Sequence, residues 1–171
     1  MRVSEIRPFD PDRLVRTLAA HGVDYVLVGA MAARLQGFAR MTADADITPA
    51  RDSENLSRLA AALRELNAKV YTEGVPEGLV FDVSAKALAR AELWNLVTDA
   101  GRLDVIFSPA GTAGYDDLIA GAVRFRVFGV ELDAARLKDI LRSKEAADRP
   151  QDRQDAVVIR AMLRRVESDR T

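Results

Sequence analysis

Val26-Leu27-Val28-Gly29-Ala30, and then Asp44-Ala45-Asp46-Ile47 fifteen residues after the glycine, form the stretch on which the fold of this chain turns. An apolar run enters a glycine turn, a short helical segment follows, and the chain returns as a strand with acids at alternate positions. Side chains repeat every two residues along a strand, so Asp44 and Asp46 share one face while Ala45 and Ile47 take the other. Two carboxylates on one face repel unless a cation lies between them. A divalent metal is the simplest such cation, and the reaction it most often serves is phosphoryl or nucleotidyl transfer.

Outward from this stretch the pattern alternates between helix and strand. Asp10-Pro11 is a helix start, an acid at the cap with proline at the first helical position, and Leu14, Val15, Leu18 and Ala19 make an apolar stripe ending near Gly22. Tyr25 to Val28 reads as a buried strand, Ala30 to Leu35 as a helix closed by Gly37, and Ala43 to Thr48 as the acidic strand, stopped by Pro49. Asp52 to Leu66 is amphipathic, with Leu56, Leu59, Ala60, Leu63 and Leu66 on one side. Between Val70 and Phe81, Gly74, Pro76 and Gly78 point to two short extended pieces around a loop. Leu93 to Thr98 and Arg102 to Phe107 form a hairpin around Asp99-Ala100-Gly101. A short helix over Tyr115 to Ala120 precedes a second hairpin, Val123 to Phe128 and Val130 to Leu132, turning at Gly129. From Asp133 the pattern turns helical, and Asp148-Arg149-Pro150 separates a first helix from a last one over Gln151 to Val166. The expected fold class is α+β: a mixed sheet flanked by helices, with a C-terminal helical pair packed on it.

Composition narrows the chemistry. The 171 residues amount to a single domain, with residues 1–132 as its core and 133–171 as a C-terminal helical subregion. There is no cysteine and one histidine, His21, which excludes disulfides, thiolate sites and a histidine-rich zinc site. Any metal is therefore held by oxygen, which favours magnesium or manganese. No apolar run approaches the roughly 18 residues of a membrane span, the N-terminal segment is not expected to be a signal peptide, and a cytoplasmic protein fits. A net charge of -1 argues against nucleic-acid binding by bulk charge and leaves local patches open. The arginines of the last forty residues (Arg136, Arg142, Arg149, Arg153, Arg160, Arg164, Arg165) are interspersed with acids and read either as a solvated helix face or as a phosphate-facing patch.

A third acid, Asp104, alternates with Leu103 and Val105, so a core strand presents one carboxylate outward. If that strand neighbours Asp44 to Ile47, three carboxylates converge. Together, the glycine turn, Asp-x-Asp and the later Asp make the chain resemble the nucleotidyltransferase superfamily of the DNA polymerase beta type. Within it, the resemblance is to small bacterial nucleotidyltransferase toxins of the AbiEii and mycobacterial MenT type, over Tyr25 to Ile47, Arg102 to Phe107 and Leu137 to Asp155.

That resemblance implies a set of roles. Asp44, Asp46 and Asp104 would be the catalytic and metal-binding acids, holding Mg²⁺ or Mn²⁺ against the triphosphate of an NTP, and Asp104 would also deprotonate or orient the incoming hydroxyl. Gly29 and Ala30 would form the phosphate-binding turn, where glycine and the unpaired N–H groups of the following helix let the backbone approach. Lys144, Arg149, Asp152 and Thr42 would complete the nucleotide site. Thr42 would also be a regulatory phosphorylation candidate, since a phosphate of about -1.5 to -2 charge beside the acids repels an NTP. The implied acceptor is the 3′ end of tRNA, and the implied partner a cognate antitoxin. One departure stands out: the family turn carries Ser or Gly where this chain has Ala30, which removes one phosphate contact.

Plainer readings remain beside these. Asp44 and Asp46 alone are an exposed strand face with alternating acids, Thr42 is a β-branched strand entrance, Lys144 complements a helix C-terminus, and Arg149 shapes a turn before proline. Arg34 and Arg40 are solvated, His21 caps a helix, and Trp94 packs in a hairpin. A small-molecule acceptor of the antibiotic type, or a catalytically lapsed nucleotide- or protein-binding module, are the alternative functions.

Overall fold

The computed structural model describes residues 7–171. The reading of the N-terminal segment falls partly outside the described residues. Helix α1 (Pro11–Ala20) starts at Asp10, whose carboxylate accepts the Arg13 N–H at 3.1 Å. Then follow β1 (Tyr25–Val28), α2 (Gly29–Leu35), β2 (Asp44–Pro49), α3 (Ser53–Glu65), β3 (Lys69–Thr72) and β4 (Val75–Leu79). The chain continues through α4 (Ala85–Leu88), β5 (Leu93–Thr98), β6 (Gly101–Ile106), α5 (Tyr115–Ala120), β7 (Val123–Val127), β8 (Val130–Ala134), α6 (Leu137–Ala147) and α7 (Pro150–Ser168).

The fold is α+β, built on an eight-stranded mixed sheet in the order β4-β3-β5-β6-β2-β1-β8-β7. One face of its central strands is dry. Ala45, Ile47, Leu96, Leu103 and Val105 are all fully buried, in one core with Leu14 and Leu18 of α1 and Leu59 and Leu63 of α3. The opposite face of the same strands carries Asp44, Asp46, Asn95, Arg102 and Asp104, and it is this face that is left open. Period-two alternation therefore divides core from chemistry within single strands.

Two side-chain amides, one of them fully buried, tie the flanking pieces down. Asn55 on α3 accepts the Asp24 N–H at 2.7 Å and donates to the carbonyls of Asp24 and Ala50 at 2.8 and 2.9 Å, clasping the loops beside β1 and β2. Gln36, capping α2, donates to Ala135 O at 2.9 Å and accepts Leu137 N–H at 3.2 Å. That amide fixes α2 against the start of α6.

Two elements differ from expectation. Asp133 and Ala134 are strand, not helix: Asp133 pairs with Val26 of β1 on one side and Arg124 of β7 on the other, and the Arg124 guanidinium bonds its carboxylate. The helix starts only at Leu137. Helix α4 was not anticipated; the Ser84 hydroxyl caps it by accepting Ala87 N–H at 3.1 Å. Among the described residues no helix is long and apolar enough to cross a membrane.

Candidate active site

Strand β2 pairs with β6 in parallel, and the register sets Asp46 directly beside Asp104, with Asp44 beside Arg102. The three acids thus stand on adjacent strands of the open face. Gly29 closes the same corner: its φ of 67° lies in the left-handed region, and a Cβ there would collide with the Asp46 carboxylate. Only glycine lets the turn after β1 lie flat against the acid.

Electrostatically this corner is unresolved. Burial, then the charges of Asp44 and Asp104, push the Asp46 carboxyl up to about 7, against the opposing pull of Lys144 and Arg149. Burial also raises Asp104, with Arg102 opposing and Asp44 reinforcing. Asp104 Oδ1 is buried without a hydrogen-bond partner. Among the described residues no three His, Cys, Asp or Glu side chains are already arranged to hold a metal ion. The donor set is nevertheless what a hard divalent cation prefers, all oxygen, buried on one side, with one oxygen unpartnered. The residues fit such an ion.

Facing them, α6 and α7 build a second wall. Lys144 of α6 reaches Asp155 Oδ2 at 2.8 Å and Asp152 Oδ1 at 3.5 Å. Arg149 bonds Asp152 at 2.6 Å, and Asp152 Oδ2 accepts the Arg149 backbone N–H at 3.3 Å, closing a capping box at the start of α7. Burial alone would raise Asp152; the Arg149 bond and the Lys144 charge outweigh it and hold its carboxyl below the usual range. Asp155 also takes Arg40 at 2.7 Å and Gln151 at 3.1 Å. Between the walls lies a cleft of about 560 Å³, lined by Gly29, Ala30, Thr42, Asp44, Asp46, Asp104, Lys144, Arg149 and Asp152. Every site residue expected from the sequence opens onto this one cleft.

No family model and no curated sequence matches the chain. Two solved structures are similar to it at low identity. A crystal structure of a candidate nucleotidyltransferase from Thermotoga maritima is similar over 92% of this chain and 96% of that one, with 16% identity and a TM-score of 0.49. The solution structure of the antibiotic-resistance factor ANT(2″)-Ia is similar over 93% of this chain and 94% of that one, with 17% identity and a TM-score of 0.48.

Other side chains settle into specific places. The Thr42 hydroxyl lies 2.9 Å from Asp44 Oδ1 and 3.0 Å from Asp44 O, so its proton is shared locally at the edge of the acidic corner. Arg40 is not merely solvated but ion-paired with buried Asp155. His21 caps α1 and pairs with Glu65. Trp94 stacks on Phe81 at 5.1 Å and donates to Leu88 O at 3.1 Å. Asp155 was missed by the sequence reading as a site residue. Its signal was available: Asp152, Asp155, Ala156 and Ile159 are the buried positions of α7, the i, i+3, i+4, i+7 stripe of a packed helix face, with two acids in it. Acids on a helix face that should be apolar are there to hold something.

Proposed function

We propose that this protein is a divalent-metal-dependent nucleotidyltransferase that moves a nucleoside monophosphate from an NTP to a hydroxyl acceptor. The observation that carries this reading is the β2–β6 register, which sets Asp46 beside Asp104 with Asp44 one step away, under a wall holding Lys144 and Arg149. Asp44, Asp46 and Asp104 would hold Mg²⁺ or Mn²⁺. Such ions, when bound, supply Lewis-acid stabilisation of the attacking and leaving oxygens.

The chain's own residues do the rest. Gly29 and Ala30 bring backbone against the phosphates, and Ala30, lacking a hydroxyl, contributes only its main chain. Lys144 and Arg149 exchange their partners on α7 for the triphosphate, neutralising charge that builds on the leaving pyrophosphate. Asp104, whose carboxyl burial raises, takes up or orients the acceptor's proton. The acceptor oxygen forms a bond to the α-phosphorus, the bond from that phosphorus to the bridging oxygen breaks, and pyrophosphate leaves. Thr42 would be an off-switch: a phosphate on a hydroxyl 2.9 Å from Asp44 sets a second anion where the NTP must bind.

The motif resemblance supports the 3′ end of tRNA as acceptor and a toxin–antitoxin pair as the setting. Incubation with labelled NTPs, Mg²⁺ and total tRNA, beside Asp44→Ala and Asp104→Ala, tests this. Label on tRNA, lost in both variants, is the expected result. Label on an aminoglycoside but on no RNA would move the acceptor to small molecules. Transfer to no RNA, protein or small-molecule acceptor would overturn the enzyme and leave a binding module.

A further inference from the structure

The open sheet face does not end at the acids. In register outward from them run two rows: Asp46, Asp104 and Asn95 across β2, β6 and β5, and Asp44, Arg102, Val97 and Lys69 across β2, β6, β5 and β3. Both rows lead away from Gly29 and β1, the side that the phosphate-binding turn occupies. A second reactant approaching the acids has this side left to it.

Arg102 is the unusual group there. Its guanidinium carbon lies over the Tyr71 ring, 3.7 Å from the centroid. Its Nε is buried with no hydrogen-bond partner, and among the described residues its side chain makes no hydrogen bond or ion pair. A guanidinium seated over an aromatic ring with its N–H groups unpaired is suited to take a nucleobase by stacking and a phosphate by hydrogen bonding. Tyr71 stands two strand spacings from β6, about 10 Å, which places the stack one nucleotide from the acids. Beside Arg102 opens a cavity of about 240 Å³ whose lining includes Lys69, Val97 and Asn67. Two acids also line it: Asp99, which Arg7 and Arg13 already pair, and exposed Glu77. Lys69 has no ion pair among the described residues. The unpaired charge is thus mainly positive, which suits a phosphate and repels a polyamine.

We infer that Arg102, stacked on Tyr71 and flanked by Lys69, forms a nucleotide subsite for the acceptor, taking a base together with its phosphate. This rests on the nucleotidyl-transfer reading for its role, though not for its binding chemistry. The ligand is either a free nucleotide or the end of a strand, and the test separates them. Fluorescence polarisation of a labelled single-stranded octaribonucleotide, competed with unlabelled octamer or with CMP, is measured without NTP. Arg102→Met and Tyr71→Leu are each expected to weaken octamer binding at least fivefold, and Arg102→Lys to fall between, since it keeps charge but not the guanidinium stack. Glu77→Lys is expected to tighten binding about threefold, a gain that a misfolded variant cannot mimic. Competition by CMP at the octamer's own concentration range assigns a free nucleotide, and competition by octamer alone assigns a strand end; either supports the subsite. Unchanged octamer binding in Arg102→Met and Tyr71→Leu, or binding of spermidine in place of both nucleotide probes, overturns it. Loss of binding in these variants with no nucleotidyl transfer by the wild type would overturn the enzyme reading and leave the subsite standing.

Discussion

The two walls of the cleft hold similar numbers of acids and treat them in opposite ways. On the sheet wall Asp44, Asp46 and Asp104 sit on strands backed by a dry core, crowd one another, and leave Asp104 Oδ1 unpartnered. On the helical wall Asp152 and Asp155 are more deeply buried, yet Lys144, Arg149, Arg40 and Gln151 satisfy every one of their oxygens. One wall is frustrated and rigid; the other is neutral within itself and made of side chains that can change partners. On the proposed function, a ligand carrying both cation and phosphate would relieve the first and unlock the second. Removing an acid should therefore have opposite consequences on the two sides.

The largest effect is expected on the sheet wall. Asp46→Asn or Asp104→Ala should lower nucleotidyl transfer by roughly 10³-fold or more, the scale of losing several kcal/mol of charge stabilisation at the reacting phosphate. The same Asp46→Asn should raise the melting temperature of the metal-free protein at pH 8, because it deletes a charge that the fold holds at a cost. A lower melting temperature would break the comparison.

On the helical wall the sign reverses. Asp155→Ala leaves Lys144 only its longer contact to Asp152 and releases Arg40 and Gln151, so it should destabilise the protein by about 3 kcal/mol, the low end for a broken buried pair because Lys144 keeps one partner and Arg40 can rehydrate. Urea unfolding checks this, and a variant as stable as wild type would show that the wall is not held by its ion pairs.

Acidity separates the walls next. Asp46 has a folded-state value near 7 against an unfolded value of 3.8, so the folded protein binds that proton more tightly. The contribution is full below about pH 4 and lost as pH rises through 7. The metal-free protein should therefore lose several degrees of melting temperature through this group between pH 5 and pH 8, and Mg²⁺ should restore more of it at pH 8 than at pH 5. A melting temperature that Mg²⁺ leaves unmoved at pH 8 would remove the cation from the site. The smallest effect should follow Arg149→Met: a several-fold rise in KM for the NTP with little change in kcat, since this exposed guanidinium is replaced by water more easily than Lys144.

Much of this arrangement was legible in the chain. Alternation in Asp44-Ala45-Asp46-Ile47 and Leu103-Asp104-Val105 told which residues share a face, because a strand's period is fixed by geometry. That β2 and β6 are neighbours, and in which register, was conditional until the sheet was seen: strand order depends on how β1, β6 and β8 compete for β2, which no local pattern records. The boundary at Asp133 was misread for a related reason. Asp133 is an apt N-cap residue by type, and its ion pair with Arg124 across the hairpin overrides that preference. Asp155 was passed over because an acid in a helix reads as solvent-facing unless its neighbours are known to be buried. The stack of Arg102 on Tyr71 joins strands that are not adjacent, so spacing along the chain carries no sign of it.

The position of β1 has a consequence for how the molecule comes into being. β1 lies between β2, formed soon after it, and β8, whose Asp133 meets Val26 only when nearly the whole chain is present. Pairing across so long a loop is slow, because the closure entropy comes before the contacts that reward it. During synthesis the acids of β2 and β6 emerge and pair first, while Lys144 and Asp155 are still being made. A nascent chain cut off before α7 would own the acidic corner without the wall that faces it. The proposed activity would therefore arrive last, once α7 is in place, and truncation that removes α7 should abolish it before it abolishes the sheet.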